Sequence, residues 1–223
     1  MPVDLAALVE PAHTVLITQE CQQGVLGPDS SLPALADAAS GIGLVEKIQG
    51  LAVAARSAGV RVVHCVIQRR PDGLGSNRNA RLFMAARRSR SGLVAGSGFT
   101  KVVDGIDVLP EDVVSTRSQG LSPMTGTELD PVLRNIGCRT VVVTGVSVNI
   151  AITNLAFDAV NRGYQVVLVR DAVAGVPPDY AEAVIANTLS LVATLTTAKE
   201  LTEVWDATAA TAGEGAGTAS PTS

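Results

Sequence analysis

An α/β fold, with a mostly parallel sheet and helices on both faces, is predicted by three features of the sequence. Runs of β-branched residues alternate with amphipathic segments along the chain. The connections between successive runs are long enough to cross over the sheet and return in the same direction. Of 223 residues, 47% are hydrophobic, 17% charged and 3% aromatic, so the core must be built from Val, Leu, Ala and Ile.

Taken in order, the first twelve residues carry Pro2 and Pro11 and read as a surface leader or subunit contact. Residues 13–19 read as the first strand, which ends in the polar cluster Glu20-Cys21-Gln22-Gln23-Gly24. Residues 25–40, with Gly27, Pro28 and Pro33, read as a loop covering a cleft. Ile42, Val45, Ile48, Leu51, Ala52 and Ala55 recur at helical spacing, and Gly59 closes that helix. Residues 60–67 are the second strand. An Arg- and Gly-rich stretch follows, helical over 79–88; its arginines form a solvated face, a rim for an anionic substrate or a subunit contact.

The third strand covers 112–116. Thr127 caps a helix over 128–135 that Gly137 ends. The run from Thr140 is a fourth strand broken by Gly145, and Ser147 or Asn149 caps the helical segment 150–161. A fifth strand spans 164–169, with Asp171 at its carboxyl end. A helix over 179–192, a short strand over 194–196 and a helix over 198–205 complete the domain, which covers residues 1–206. From residue 207 onward Ala, Gly, Thr and Ser dominate, and this tail is expected to be disordered.

A net charge of −4 argues against nucleic-acid binding, as does the scarcity of aromatics for base stacking. Three cysteines without a CxxC pattern point to a reducing compartment, and cytoplasmic is the expected location. The amino-terminal residues lack the basic and apolar pattern of a secretory signal, and no stretch has the apolar length of a membrane span. No cofactor is expected, because neither a P-loop nor a GxGxxG follows the first strand. Two histidines without ligand spacing argue against a metal site.

Chemistry is expected where strand ends share one edge of a parallel sheet. Glu20 follows the first strand, Arg117 the third, and the 147–151 turn the fourth. A carboxylate, a cation and helix-start N–H groups can together transfer a proton and stabilise negative charge. The plainer reading is that Glu20 and Arg117 pair only to hold loops. His64 reads as a packed histidine and His13 as exposed. Of Cys21, Cys65 and Cys138 none is placed like an activated nucleophile, Cys21 being the one to test. Ser122 and Ser147 lack a histidine base.

Gly126-Thr127-Glu128-Leu129-Asp130 and Gly145-Val146-Ser147-Val148-Asn149-Ile150, with Phe157-Asp158-Ala159 and Gly163-Tyr164-Gln165-Val166 beyond, resemble the isochorismatase-like hydrolase superfamily, also called cysteine hydrolases. The likeness runs over residues 14–201. It implies a three-layer α/β/α sandwich around a six-stranded parallel sheet, a homodimer or homotetramer, and a cis peptide near Val146–Ser147. Amidase members use an Asp–Lys–Cys set. By resemblance Glu20 stands at the Asp position and Gln22 at that of the Gln that follows it. The lysine position falls on Arg117 counted from the third strand, or on Ser118 counted back from Ser122; Arg117 retains a cation. The nucleophile position is Ala151, which cannot attack a carbonyl.

The metal-binding Asp and His of the nicotinamidase branch are not supplied by residues 68–72. Members that hydrolyse the vinyl ether of isochorismate also lack the cysteine, and in them the first-strand acid protonates the substrate. The resemblance therefore implies that Glu20 is the acid, that Arg117 orients a substrate carboxylate, and that Gln22, Gln68, Ser147 and Asn149 bind an anionic small-molecule substrate around one pocket with Ala151. The expected function is hydrolysis of a small carboxylated substrate without a cysteine nucleophile. The alternative is a catalytically degenerate member that binds a small acid or serves in assembly.

Overall fold

Six strands pair in parallel in the order β3-β2-β1-β4-β5-β6: β1 (Thr14–Gln19), β2 (Arg61–Ile67), β3 (Val113–Arg117), β4 (Thr140–Val146), β5 (Gln165–Ala174) and β6 (Thr194–Thr196). The computed structural model describes residues 3–88 and 92–216. Its helices are α1 (Leu5–Leu8), α2 (Gln23–Leu26), α3 (Pro33–Gly41), α4 (Leu44–Ser57), α5 (Arg81–Arg88), α6 (Leu129–Asn135), α7 (Thr153–Asn161), α8 (Pro178–Asn187) and α9 (Ala198–Ala216).

Successive strand residues point to opposite faces, and both faces of this sheet are covered. On one, Leu16, Val142 and Val167 pack with Leu44, Ile48 and Leu51 of α4 and Trp205 of α9. On the other, Ile17, Val143 and Leu168 pack with Leu129 of α6, Leu155 of α7 and Ile185 of α8. The three-layer arrangement is the one expected, and it leaves all six strands ending at one edge.

Several boundaries differ from the sequence reading. Residues 25–40 are not a single loop: α3 starts at Pro33, whose fixed φ and missing N–H suit the first helical position. The amino-terminal segment is tied down, since Val9 is fully buried and its carbonyl accepts a hydrogen bond from Trp205 Nε1 at 3.2 Å. β5 continues to Ala174, so Asp171 lies within it. There its Oδ1 accepts from Ala198 N–H at 2.8 Å and its Oδ2 lies 3.3 Å from Lys47 Nζ. Helix α9 runs past residue 206 to Ala216, favoured by its alanines; the hydroxyls of Thr208 and Thr211 are accommodated by donating back to the Val204 and Thr208 carbonyls. Residues 217–223 of the expected tail lie outside the described residues.

Gly145 of β4, at φ 105°, pairs with Gln19 of β1. A Cβ there would lie 2.7 Å from the backbone nitrogen of Gln19, an atom held in the β1 ladder. Gly145→Ala is therefore expected to lower unfolding stability by at least ~2 kcal/mol, through both the left-handed φ and the clash, as read from urea titration.

A second constraint is a polar cluster inside the sheet. His64 on β2 is fully buried, with Nδ1 2.8 Å from Thr18 Oγ1 and Nε2 3.4 Å from Asp112 Oδ2. Burial pushes the imidazole below its usual value, although Asp112 opposes this. Burial works against the Asp112 carboxylate too, yet hydrogen bonds from Arg56, the Leu109 N–H and His64 hold it below the usual range. Both groups then bind more protons unfolded than folded as pH falls, so acid destabilises. For His64 that loss begins near its unfolded value of about 6.5. The urea midpoint is expected to drop between pH 7 and pH 5, and His64→Gln to flatten that part of the curve.

Candidate active site

β1 ends at Gln19, and the backbone then turns sharply. Glu20 has φ 53°, a left-handed conformation uncommon for a residue with a side chain and costing of order 1–3 kcal/mol. Two backbone bonds hold it there: Glu20 N–H donates to Cys65 O at 2.9 Å, and Gln22 N–H donates to Glu20 O at 2.8 Å. In an extended chain the side chains of Gln19 and Glu20 would point to opposite faces. The turn breaks that alternation, and Gln19 Nε2 donates to Glu20 Oε1 at 3.0 Å.

Arg117 arrives from the end of β3. Its Nη2 donates to the same Glu20 Oε1 at 2.6 Å, and its Nε to Gly120 O at 3.4 Å. The Arg117 side chain is 7% exposed and that of Glu20 17%, so the pair is charge-assisted and largely shielded from water. Of the two positions the resemblance allowed for the family lysine, Arg117 is the one that reaches Glu20. Two buried atoms nearby, Arg117 Nη1 and Gln19 Oε1, have no partner among the described residues. An unsatisfied buried polar atom costs ~1–3 kcal/mol; Arg117 lines the adjoining cavity, whereas Gln19 does not.

Glu20 and Arg117 line one cavity of about 170 Å³ together with Arg69, which follows β2. Arg69 Nη1 donates to Ala86 O at 3.0 Å. Burial, with Arg117 close by, holds its guanidinium below the usual arginine range against the pull of Glu20. Val25, Ile67, Phe83 and Leu121 supply apolar wall. Two guanidiniums against one carboxylate leave an excess positive charge in a space smaller than the roughly 300–1,000 Å³ of common ligand clefts. The arrangement suits a small anion and can move a proton at Glu20.

The remaining predicted residues divide. Ser147 and Asn149 line a neighbouring hollow rather than this cavity. Neither side chain caps the following helix. A π-helical turn over Val148–Ile152 precedes α7, and Ser147 acts through its carbonyl, which accepts from Ile150 and Ile152 N–H. Asn149 grips Val176, its Nδ2 donating to the carbonyl at 2.6 Å and its Oδ1 accepting the N–H at 3.2 Å. Gln22 is fully buried and spends its amide on backbone: Oε1 accepts from Ile67 N–H, and Nε2 donates to the Ile67 and Thr100 carbonyls. Gln68 is half-buried and outside the cavity lining, with its N–H bonded to Arg117 O. Ala151 is 3% exposed within the π-helical turn and opens on neither hollow. The single pocket expected around all seven residues is therefore two adjoining ones, with Gln22, Gln68 and Ala151 in their supporting shell.

Cys21, Cys65 and Cys138 are buried and unbonded. Burial raises all three thiols, Cys65 and Cys138 to about 12. Ser122 Oγ donates to the Asp158 carboxylate. Among the described residues no group of three or more His, Cys, Asp or Glu is placed to hold a metal, and no helix is long and apolar enough to cross a membrane. The Val146–Ser147 peptide is cis, as the resemblance implied. Sequence reasoning missed Gln19 as a site residue and included Arg69 only within the arginine run read as a solvated face, a rim for an anionic substrate or a subunit contact. The available signal for Arg69 was its place just after a strand, the same place that singled out Glu20.

The isochorismatase domain family matches residues 14–200. Ureidoacrylate amidohydrolase RutB of Methylorubrum extorquens is 31% identical over 204 residues, which cover 83% of this chain and 82% of that protein. Among solved structures, a cysteine hydrolase from Pseudomonas syringae pv. phaseolicola superposes with a TM-score of 0.76 at 23% identity, covering 90% of this chain and 96% of its own. An isochorismatase family protein from Desulfovibrio vulgaris gives 0.74 at 27% identity, covering 86% and 98%.

Arg117→Ala would leave the Glu20 carboxylate without its cation partner in a mostly dry site. It is expected to lower stability by roughly 2–4 kcal/mol in urea titration, and Glu20→Gln, which keeps polar atoms facing Arg117, by less. Combining the two should cost less than the sum of the single changes.

Proposed function

The chain belongs to the isochorismatase family, and we propose that it hydrolyses a small carboxylated substrate by proton transfer at Glu20, with no cysteine nucleophile. The reading rests on the cavity that Glu20 shares with Arg69 and Arg117. A substrate carboxylate takes up the donors of the two guanidiniums, whose planar forks match it. The scissile bond then lies beside Glu20, which enters the reaction as the acid, carrying one proton. Glu20 delivers that proton to the enol-ether carbon, water adds to the adjacent oxocarbenium carbon, and the hemiketal breaks to a ketone and an alcohol as the water's proton returns to Glu20. Gln19 holds Glu20 in position throughout.

Support comes also from the relative named for ureidoacrylate, whose substrate is itself an acid. The three unbonded cysteines fit a cytoplasmic setting. The apolar side chains of Phe157 and Val160, 40% and 38% exposed on α7, fit a homodimer or homotetramer. The second reading, binding of a small acid without turnover, is favoured by one observation: position 151 is a packed methyl group away from the cavity.

Isochorismate and simple carboxylated vinyl ethers are the substrates to assay. Turnover is expected to fall at least ~100-fold in Glu20→Gln, to require higher substrate in Arg69→Gln, and to survive iodoacetamide treatment of the native protein. Arg69-dependent binding of acids with no turnover would replace this reading by the second. Absence of both would remove the two together.

A further inference from the structure

We propose that the substrate carries an apolar tail beyond its anionic head, and that the hollow beside the charged cavity receives it; the inference rests on the carboxylate reading above. That hollow measures about 450 Å³. Ser31, Leu32 and Leu82 line it and the charged cavity alike, so the two spaces meet at a common wall. Past the wall its surface is formed by Ile150 and Val176 with Pro33, Leu35, Ser147 and Asn149, and among the described residues none that lines it is charged.

Leu32, Leu82 and Ile150 are 45%, 45% and 41% exposed, three large aliphatic side chains around one opening. Covering them is favourable in proportion to the area removed from water. The one side-chain amide lining the hollow, that of Asn149, has both ends engaged by the Val176 backbone. The two chambers thus demand different chemistry of one molecule. The inner one, with Arg69 and Arg117 against Glu20, takes the anion; the outer one takes carbon. A compact polyacid satisfies the first and leaves the second wet. An acid with an alkyl or aryl substituent of several carbons satisfies both, and in a vinyl ether that substituent is the leaving alcohol.

Calorimetric titration of the full chain with straight-chain carboxylates from butyrate to octanoate tests this. The dissociation constant is expected to tighten about two- to fourfold per added methylene. Ile150→Gln should flatten that trend while leaving butyrate binding unchanged, and Leu32→Gln at the common wall is an independent second variant. Affinity that ignores chain length, with butyrate binding still lost in Arg69→Gln, overturns the tail and spares the carboxylate reading. A trend that persists in both glutamine variants places the tail elsewhere and overturns the inference. Failure of every acid to bind removes the carboxylate reading and this inference with it.

Discussion

The bond between Glu20 and Arg117 spans two strands that are not neighbours. β2 lies between them, and the ion pair closes over its carboxyl end at 2.6 Å. This contact requires that β1, β2 and β3 run the same way and end level, which the parallel register supplies. It also requires Glu20 to leave the extended conformation, because the strand's alternation would separate it from Gln19. The left-handed turn costs energy that two backbone hydrogen bonds and the charge pair offset. The strain at this position falls at the wall of a cavity, with Arg117 Nη1 and Gln19 Oε1 lacking a partner beside it among the described residues.

The molecule separates holding from reacting. Gln22 and Asn149, whose types and positions marked them for substrate, use their amides to fix backbone at Ile67, Thr100 and Val176. A primary amide with all its good directions spent is a brace. Arg69, which looked like one member of a solvated basic run, faces inward with Glu20 and Arg117. Position 151 supports the turn and touches neither chamber. Glu20, Arg69 and Arg117 therefore cluster over the ends of β1, β2 and β3, displaced from the turn after β4.

How far this was legible follows from what each residue answers to. The layers and the parallel sense of the sheet were readable because runs such as Val141-Val142-Val143 bury on both faces, and burial is a property of composition along a short window; the strand order was not. Glu20 and Arg117 were readable because a charge directly after a buried strand is conspicuous. The extension of α9 was missed because a low-complexity stretch rich in alanine reads equally as tail or helix. The length of β5 was missed because Arg170 and Asp171 interrupt its apolar run, while an irregular register against β4 lets it continue. The fates of Gln22, Asn149 and Arg69 depend on contacts between residues tens of positions apart. No local pattern encodes them.

β3 is an outer strand of five residues, with Val114 42% exposed, and its last residue is Arg117. Its outward backbone groups are a template onto which a foreign strand can zip. Any such growth would begin one ladder rung from the guanidinium that grips Glu20. Colloidal misassembly along that rim and loss of the cavity's charge balance are thus a single event, and brevity of the strand protects against both.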